Sequence, residues 1–148
     1  MEQLFINEKD FNKIRKIIKE NPKREIIFSG DDELNRKVLE KEKIDILLIN
    51  QKERKDYDKE RNSGFNQVLA KLAKKKNVII GINLDEIIES YGKERARIIA
   101  RIKQNIKICN KNKLYMEFVS FKYKKSQILK KGLGLVLGMP TWMTKKLK

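Results

Sequence analysis

The sequence predicts an α/β fold in which consecutive βα units build a parallel sheet. Two observations support this prediction. Short runs of aliphatic and β-branched residues recur along the 148-residue chain, and longer segments with apolar residues at helical spacing lie between them. Alternation of this kind is typical of parallel sheets that are covered by helices. Hydrophobic residues form 40% of the chain, which is enough for the core of one domain over residues 1–148.

Five segments are predicted to be strands because they are short, apolar and bounded by turn or charged residues. They are residues 4–6, 25–28, 44–49, 78–82 and 114–121. The segment 51–63, QKERKDYDKERNS, interrupts the alternation and contains no aliphatic residue. It mixes both signs of charge, so it forms either a solvated loop or a partner-binding segment.

Helices are predicted between the strands. The first begins at Asn7 or Glu8 and ends before Pro22, since proline disfavours helical backbone in the residue that precedes it. Asp31 or Asp32 caps the second, which runs to about residue 40. Further helices are predicted at residues 64–75, 84–89, 93–110 and 126–137. The positions predicted to face the core are Phe11, Ile14, Ile17, Ile18, Leu34, Val38, Leu39, Phe65, Val68, Leu69, Leu72, Ile98, Ile99, Ile102, Ile106 and Cys109.

The charge of the chain points to a polyanionic partner. Lys and Arg number 36 against 20 Asp and Glu, which gives a net charge of +16. Residues 95–148 contain fifteen basic residues and one acid, Glu117, so that stretch carries +14 and the rest of the chain +2. Lysine-rich helix faces are often merely solvated, but a field of one sign is relieved by phosphate through counterion release. Nucleic acid is therefore the predicted partner.

The long helix carries the side chains that best fit a phosphate contact. Arg97 and Arg101 are one turn apart, and Asn105 follows at the same spacing beside the apolar stripe. A guanidinium group suits paired phosphate contacts because its donors lie in one plane. The alternative is that these arginines form ion pairs within the protein, with Asp45 or Asp85 as partners.

Several chemistries are excluded or disfavoured by the residues that are missing. The chain has no histidine, which removes histidine-based metal sites and acid–base catalysis. A metal-dependent phosphoesterase would need carboxylates alone, with Asp31, Asp45 and Asp85 around Mg²⁺. Asp31 is more economically a helix cap. The glycine-rich GLGLVLG at 132–138 follows no strand and is interpreted as helix packing.

The cellular compartment is predicted from what the sequence lacks. A single cysteine, Cys109, cannot form an internal disulfide, and it lies on an apolar helix face. No apolar run approaches the roughly eighteen residues of a membrane span, and no signal sequence opens the chain. A cytoplasmic protein without a membrane partner is expected.

Five stretches together resemble the archaeal ribonuclease P component 3 family, whose eukaryotic relatives form the p30 subunit. Their order and spacing, with an RxxG turn between a strand and a helix, are those of the family. The stretches are DDELNR at 31–36, IDILL at 44–48, RNSGFNQVLAKLAKKK at 61–76, NVIIGINL at 77–84 and ERARIIARIKQN at 94–105. The resemblance extends over roughly residues 25–139. Near the end of this range, LGLVLGM at 133–139 resembles the family's last helix.

The resemblance implies a fold and a function. The fold is a distorted or incomplete TIM-like barrel of consecutive βα units, because the chain is shorter than is usual in the family. The protein would bind ribonuclease P RNA and pair with a small ferredoxin-like protein subunit, to help remove the 5′ leader from precursor tRNA. The RNA would supply the catalysis and require Mg²⁺, while the protein itself would bind no cofactor or metal.

The resemblance also marks candidate RNA-binding residues, for direct contact or its support. The positions that match the family's basic and polar motif residues are Arg36, Arg61, Asn66, Lys71, Lys76, Arg97, Arg101 and Asn105. The chain departs from the family in two places. Gln67 stands where histidine is common, and FKYKKS at 121–126 replaces a segment that contains an Arg-Ser-Pro helix start. Lys124 or Lys125 is expected to substitute for that arginine. The tail at 140–148 either extends the RNA surface or is disordered.

Overall fold

The computed structural model describes all 148 residues, and its centre is a five-stranded parallel sheet. The strands are β1 (Gln3–Ile6), β2 (Glu25–Phe28), β3 (Ile46–Ile49), β4 (Ile79–Asn83) and β5 (Met116–Val119). They pair in the order in which they occur along the chain, and every neighbouring pair is parallel. Sequential parallel order is the topology of a βα barrel.

The two edge strands approach each other at their carboxyl ends. Phe5 lies in β1 and Phe121 follows β5, and their ring centroids are 4.6 Å apart. Because β1 and β5 are not paired with each other, the barrel is incomplete. The predicted α/β fold of consecutive βα units, in the form of an incomplete TIM-like barrel, is confirmed.

Seven helices accompany the sheet. They are α1 (Phe11–Glu20), α2 (Asp32–Lys41), α3 (Gln67–Lys76), α4 (Leu84–Glu89), α5 (Gly92–Lys111), α6 (Gln127–Val136) and α7 (Thr141–Thr144). None of them is long and apolar enough to cross a membrane.

The hydrophobic core lies mainly between the sheet and the helices. Successive strand residues point to opposite faces of a sheet, so Leu47 and Ile49 of β3 enter the large cluster shared with the helices. Ile46 and Leu48 point the other way and pack with Val119 in a smaller cluster inside the curved sheet. Full burial of one such side chain contributes about 1.5–3 kcal/mol. The core therefore fixes the strand ends from which the polar loops leave.

The start of α1 differs from the prediction. Its cap is Asp10, whose carboxylate accepts a hydrogen bond from the Asn12 N–H at 2.9 Å. Glu8 does not cap the helix, because its carboxylate accepts from the N–H groups of Lys9 and Asp10 in the preceding turn. The predicted stop is confirmed, since the helix ends at Asn21.

Helix α3 begins three residues later than predicted. Asn66 is its cap and accepts from the Leu69 N–H at 2.9 Å, while Gly64 lies before the helix at a φ of +73°. Val68 was predicted to be buried and is instead 62% exposed. Ala70 and Ala73 take the buried face, because their small side chains let the helix approach its neighbours closely.

The C-terminal segment is ordered. Gly134 of α6 is buried, and a Cβ at that position would lie 2.8 Å from Met139 Sδ. This close approach supports the packing interpretation at Gly134, whereas a Cβ at Gly132 or Gly138 would meet nothing within 4 Å. Met143 and Leu147 are buried in the main core, so the interpretation of the tail as disordered is wrong.

Candidate nucleic-acid interface

The loop between β3 and α3 is held by one buried cation from α5. Arg101 is 3% exposed, and each of its guanidinium nitrogens donates a hydrogen bond to this loop. Nε donates to Asp56 Oδ1 at 3.0 Å, Nη1 to the Gln51 carbonyl at 2.9 Å and Nη2 to the Arg54 carbonyl at 2.8 Å. The sequence-based hypothesis gave Arg101 a phosphate contact, or an ion pair with Asp45 or Asp85. Its buried position and its actual partners give it a structural role instead.

The other end of the same loop is held by the two polar residues that follow on α5. Asn105 is 3% exposed and donates to the Ser63 carbonyl at 3.1 Å. Gln104 donates to the Arg61 carbonyl at 3.3 Å and to Ser63 Oγ at 3.2 Å. Of the two predicted roles of Asn105, RNA contact or its support, burial favours support. Asn105 supports the loop, and so does Gln104, which lies in the stretch 94–105 but was not among the predicted residues.

A partly buried carboxylate fixes the beginning of the loop. Glu86, near the start of α4, accepts from the N–H of Gln51 at 2.7 Å and of Lys52 at 3.0 Å. Burial raises the pKa of Glu86, and these two hydrogen bonds offset only part of that effect. These two hydrogen bonds fix the direction in which the backbone of the loop leaves β3.

Arg54 ties the loop to α2 and explains the glycine of the RxxG turn. Its guanidinium group makes a two-pronged ion pair with Asp32, at 2.8 and 2.9 Å, and its Nε donates to the Asn50 carbonyl at 2.6 Å. The hydrogen bond to Arg54 lowers the pKa of Asp32. A Cβ at Gly64 would lie 2.7 Å from Arg54 Cζ and 2.9 Å from Ile49 Cγ2. A positive φ and the approach of this guanidinium group both require glycine here.

The segment after β5 is held by a buried anion. Asp85 is 7% exposed and lies at the beginning of α4. Its carboxylate accepts from Ser120 Oγ at 2.9 Å and from the N–H groups of Phe121, Lys122 and Tyr123 at 2.9, 3.1 and 3.2 Å. Burial alone would raise the pKa of Asp85, but these four hydrogen bonds outweigh it and the pKa is lowered. Asp85 was considered only as a metal ligand or an ion-pair partner, so this role was missed.

Five of the predicted RNA-binding residues are exposed and make no side-chain ion pair or hydrogen bond. These are Arg61, Lys71, Arg97, Lys124 and Lys125. Lys71 lies on α3, Arg97 on α5 and Arg61 on the loop after β3. Lys124 and Lys125 directly follow the segment 120–123 that Asp85 holds. All five are free to meet a polyanion.

Three other predicted residues have partners within the protein. Arg36 forms an exposed ion pair with Glu40, one turn away at 3.0 Å. Lys76 Nζ donates to the Glu40 carbonyl at 2.6 Å and so binds the end of α2. Asn66 caps α3. Only the Lys76 contact joins two helices, α3 and α2, whereas the other two lie within one helix or at its cap, and parts of all three side chains remain at the surface.

The carboxylates of the alternative metal site do not come together. Asp31 caps α2 by accepting from the Leu34 N–H at 2.8 Å. Asp45 precedes β3 at the opposite end of the sheet and accepts from the Ile26 N–H at 2.7 Å. No group of three or more acidic or cysteine side chains is arranged to hold a metal ion. The predicted grouping of Asp31, Asp45 and Asp85 is wrong, because each serves a different part of the backbone.

The fold and these contacts define an incomplete βα barrel with a strongly basic surface and polar loops that its own buried charges hold in place. The family model described as RNase P subunit p30 matches residues 2–117. The chain therefore belongs to the RNase P p30 subunit family.

Individual relatives agree with this assignment. The chain is 37% identical over 86 residues to ribonuclease P protein component 3 of Methanosarcina mazei. The aligned region covers 58% of this chain and 33% of that protein. It is 34% identical over 103 residues to the Methanococcus vannielii protein of the same name, which covers 68% and 42%. The chain thus spans about a third to less than half of the length of these relatives.

A solved structure has the same fold. A chain in the cryo-EM structure of archaeal ribonuclease P with mature tRNA superposes with a TM-score of 0.80 and 27% sequence identity. The match covers 97% of this chain and 62% of that one. Almost every element described above therefore has a counterpart in a ribonuclease P subunit.

Proposed function

We propose that this chain is a protein subunit of ribonuclease P that binds and stabilises the catalytic RNA, so that the holoenzyme removes the 5′ leader from precursor tRNA. The observation that carries the proposal is the match of 97% of the chain to a chain of archaeal ribonuclease P with mature tRNA. A protein that shares the fold over nearly its whole length, and the family motifs within it, is suited to the same assembly.

The charge distribution supports RNA as the partner. The net charge is +16, and residues 95–148 hold a single acid, Glu117, which is partly buried. Burial raises the pKa of Glu117, and it is the only carboxylate among the fifteen basic residues of this stretch. Neutralising lysine and arginine with RNA phosphates releases counterions and favours binding.

A supporting rather than a catalytic role fits the use of the buried Asp85 and the partly buried Glu86. Asp85 and Glu86 accept backbone hydrogen bonds from the segments at either side of β4, and neither carboxylate is left free for proton transfer. In this proposal the RNA performs the cleavage and binds the Mg²⁺ that it needs, and the protein binds no cofactor.

A protein partner is also part of the proposal. Ile128, Leu129, Leu135 and Val136 of α6 are exposed apolar residues, from 52% to 82%. Exposed apolar surface of this kind is typical of an interaction site. We propose that the chain pairs with the small ferredoxin-like subunit of ribonuclease P, in the cytoplasm of an archaeon.

Reconstitution tests the proposal. The protein and its candidate partner subunit would be added to the ribonuclease P RNA of the source organism, and cleavage of a precursor tRNA would be measured across Mg²⁺ concentrations. The proposal predicts cleavage at the same site with and without protein, with less Mg²⁺ needed when protein is present. Cleavage that is indifferent to the protein, or that occurs without the RNA, would contradict it.

A further inference from the structure

The outer face of α5 forms an open basic pocket with the end of the loop after β3. The pocket has a volume of about 360 Å³ and is lined by Arg61, Ala100, Lys103, Gln104 and Lys107. It lies on the same helix as the buried Arg101, whose side chain points the other way, into the protein. Lys103 and Lys107 were not among the predicted RNA-binding residues.

The three cations of this pocket are uncompensated within it. The side chains of Arg61, Lys103 and Lys107 are exposed and form no ion pair or hydrogen bond, and no carboxylate lines the pocket. Asp56 is an acid outside the pocket, and the charge of Arg61 contributes to the lowering of the Asp56 pKa. Asp56 is already paired with Arg101 at 3.0 Å, so the positive charge of the pocket remains available.

The pocket is also held in shape before any ligand arrives. Gln104 donates from its amide to the Arg61 carbonyl and to Ser63 Oγ, which fixes the loop against the helix at the edge of the pocket. Ala100 forms part of the lining, and its small side chain leaves space between the longer ones. A ligand therefore meets cations whose backbone positions are already set, so less ordering entropy is lost on binding.

We propose that this pocket binds the phosphate backbone of RNA, with Arg61, Lys103 and Lys107 as the contacting residues. The proposal rests on the proposed function, since it names the surface through which the protein meets its RNA. A single phosphodiester group, or two adjacent ones, matches a pocket with three cations and no acid. Backbone contact of this kind gives affinity and a salt-dependent binding constant without reading a base.

The first test compares two double variants with equal loss of charge. Lys103→Ala with Lys107→Ala removes two cations from the pocket. Lys13→Ala with Lys16→Ala removes two exposed lysines from α1 that likewise have no partner. Binding to ribonuclease P RNA is measured from low to high salt. The pocket variant should bind roughly tenfold more weakly than the α1 variant near 0.1 M salt, with a salt slope lower by about two units than that of the unchanged protein.

A crosslinking experiment locates the RNA independently of affinity. The only cysteine, Cys109, is fully buried, so Ala100→Cys would give a single accessible thiol inside the pocket for attachment of a photoreactive group. Lys16→Cys provides the matched control on α1. The proposal predicts an RNA crosslink from position 100 that is absent or much weaker from position 16.

The outcomes separate this inference from the proposed function. If the unchanged protein binds ribonuclease P RNA but the two double variants lose affinity and slope equally, and position 100 gives no crosslink, the pocket is not the RNA contact and the proposed function stands. If the unchanged protein shows no affinity for that RNA, the proposed function fails together with the inference. Circular dichroism and urea unfolding of each variant exclude misfolding as the cause.

Discussion

The loop after β3 and the segment after β5 leave the same edge of the sheet and are held by buried charges of opposite sign. Residues 51–56 surround the guanidinium group of Arg101, whereas residues 120–123 surround the carboxylate of Asp85. The sign follows from the backbone. The first loop turns two carbonyl oxygens toward Arg101, so a donor is needed there, while its N–H groups at Gln51 and Lys52 bind Glu86 separately. The second segment turns three N–H groups toward Asp85, so an acceptor is needed.

The two regions also differ in what they leave exposed. Residues 51–63 carry five basic and four acidic side chains, and Arg101 takes up one of the acids, Asp56. Residues 120–125 carry three lysines and no acid. The Asp85 carboxylate stabilises that segment from within and leaves its outer lysines exposed. In this basic protein a buried cation, Arg101, is structural, while a buried anion, Asp85, supports a cationic surface.

Removing the buried cation should have the largest effect. Arg101→Met keeps most of the side-chain volume but leaves two carbonyl oxygens and the Asp56 carboxylate without their donor. Loss of one partner from a buried charged pair costs roughly 3–5 kcal/mol, and the partial exposure of Asp56 puts this site at the lower end. Urea unfolding measures the change. Arg97→Met on the exposed face of α5 is the control and should change stability by less than about 0.5 kcal/mol. Equal effects of the two variants on stability would contradict the structural role of Arg101.

Removing the buried anion should cost less and should depend on pH. Asp85→Asn retains one acceptor oxygen but loses the charge and replaces the other oxygen with a donor facing N–H groups. Hydrogen bonds to charged groups contribute about 1.5–3 kcal/mol each, and losses within one cluster are not additive. The variant is expected to unfold at lower urea concentration than the unchanged protein at pH 7.

The pH dependence of that difference has a defined sign. The pKa of Asp85 in the folded protein lies below its ordinary value of 3.8, so its contribution to stability is complete above that value and is lost as the pH falls through the folded pKa. The gap in stability between the unchanged protein and Asp85→Asn should therefore shrink from about pH 5 to about pH 2. A gap that stayed constant over this range would show that the carboxylate charge is not what holds the segment.

A glycine substitution tests the loop after β3 separately from the segment after β5, because only the loop has a left-handed backbone conformation at its end. Gly64→Ala should destabilise the protein by about 1–3 kcal/mol, since φ is +73° and the new Cβ would meet the Arg54 guanidinium group. Gly92→Ala is a useful control, because Gly92 also has a positive φ, of +60°, but no atom within 4 Å of a new Cβ. A cost at Gly64 no greater than at Gly92 would contradict the role of Arg54.

The alternation of short apolar runs and helical periods was sufficient to predict most of the fold. Residues 25–28 and 84–89 were predicted with their observed bounds, because strand and turn residues mark both ends. The start of α3 was missed because Gly64 and Phe65 extend the apolar pattern into a turn. Val68 was wrongly predicted to be buried, because the buried face of α3 consists of Leu69, Ala70 and Ala73, and the two small alanines were not recognised as part of it.

The site was harder to predict than the fold. Arg101 and Asp56 are 45 positions apart, and nothing in the periodicity of either segment pairs them. The resemblance pointed to Arg101 and Asn105 as important, but sequence spacing does not distinguish a side chain that meets RNA from one that holds a loop. Burial decides this, and burial follows from the packing of α5 against the loop. The exposed Arg61 and Arg97 remain candidates for direct contact.

A ribonuclease P subunit should bind one particular RNA through the basic surface that its buried charges hold in place, whereas a general polycation should not distinguish between RNAs. Competition binding tests this most directly, with ribonuclease P RNA against an unrelated structured RNA of equal length at the same salt concentration. The account predicts a preference of at least about tenfold for ribonuclease P RNA, which corresponds to about 1.4 kcal/mol. Equal affinity for both RNAs, with binding set by salt alone, would contradict it and identify a generic basic RNA-binding protein.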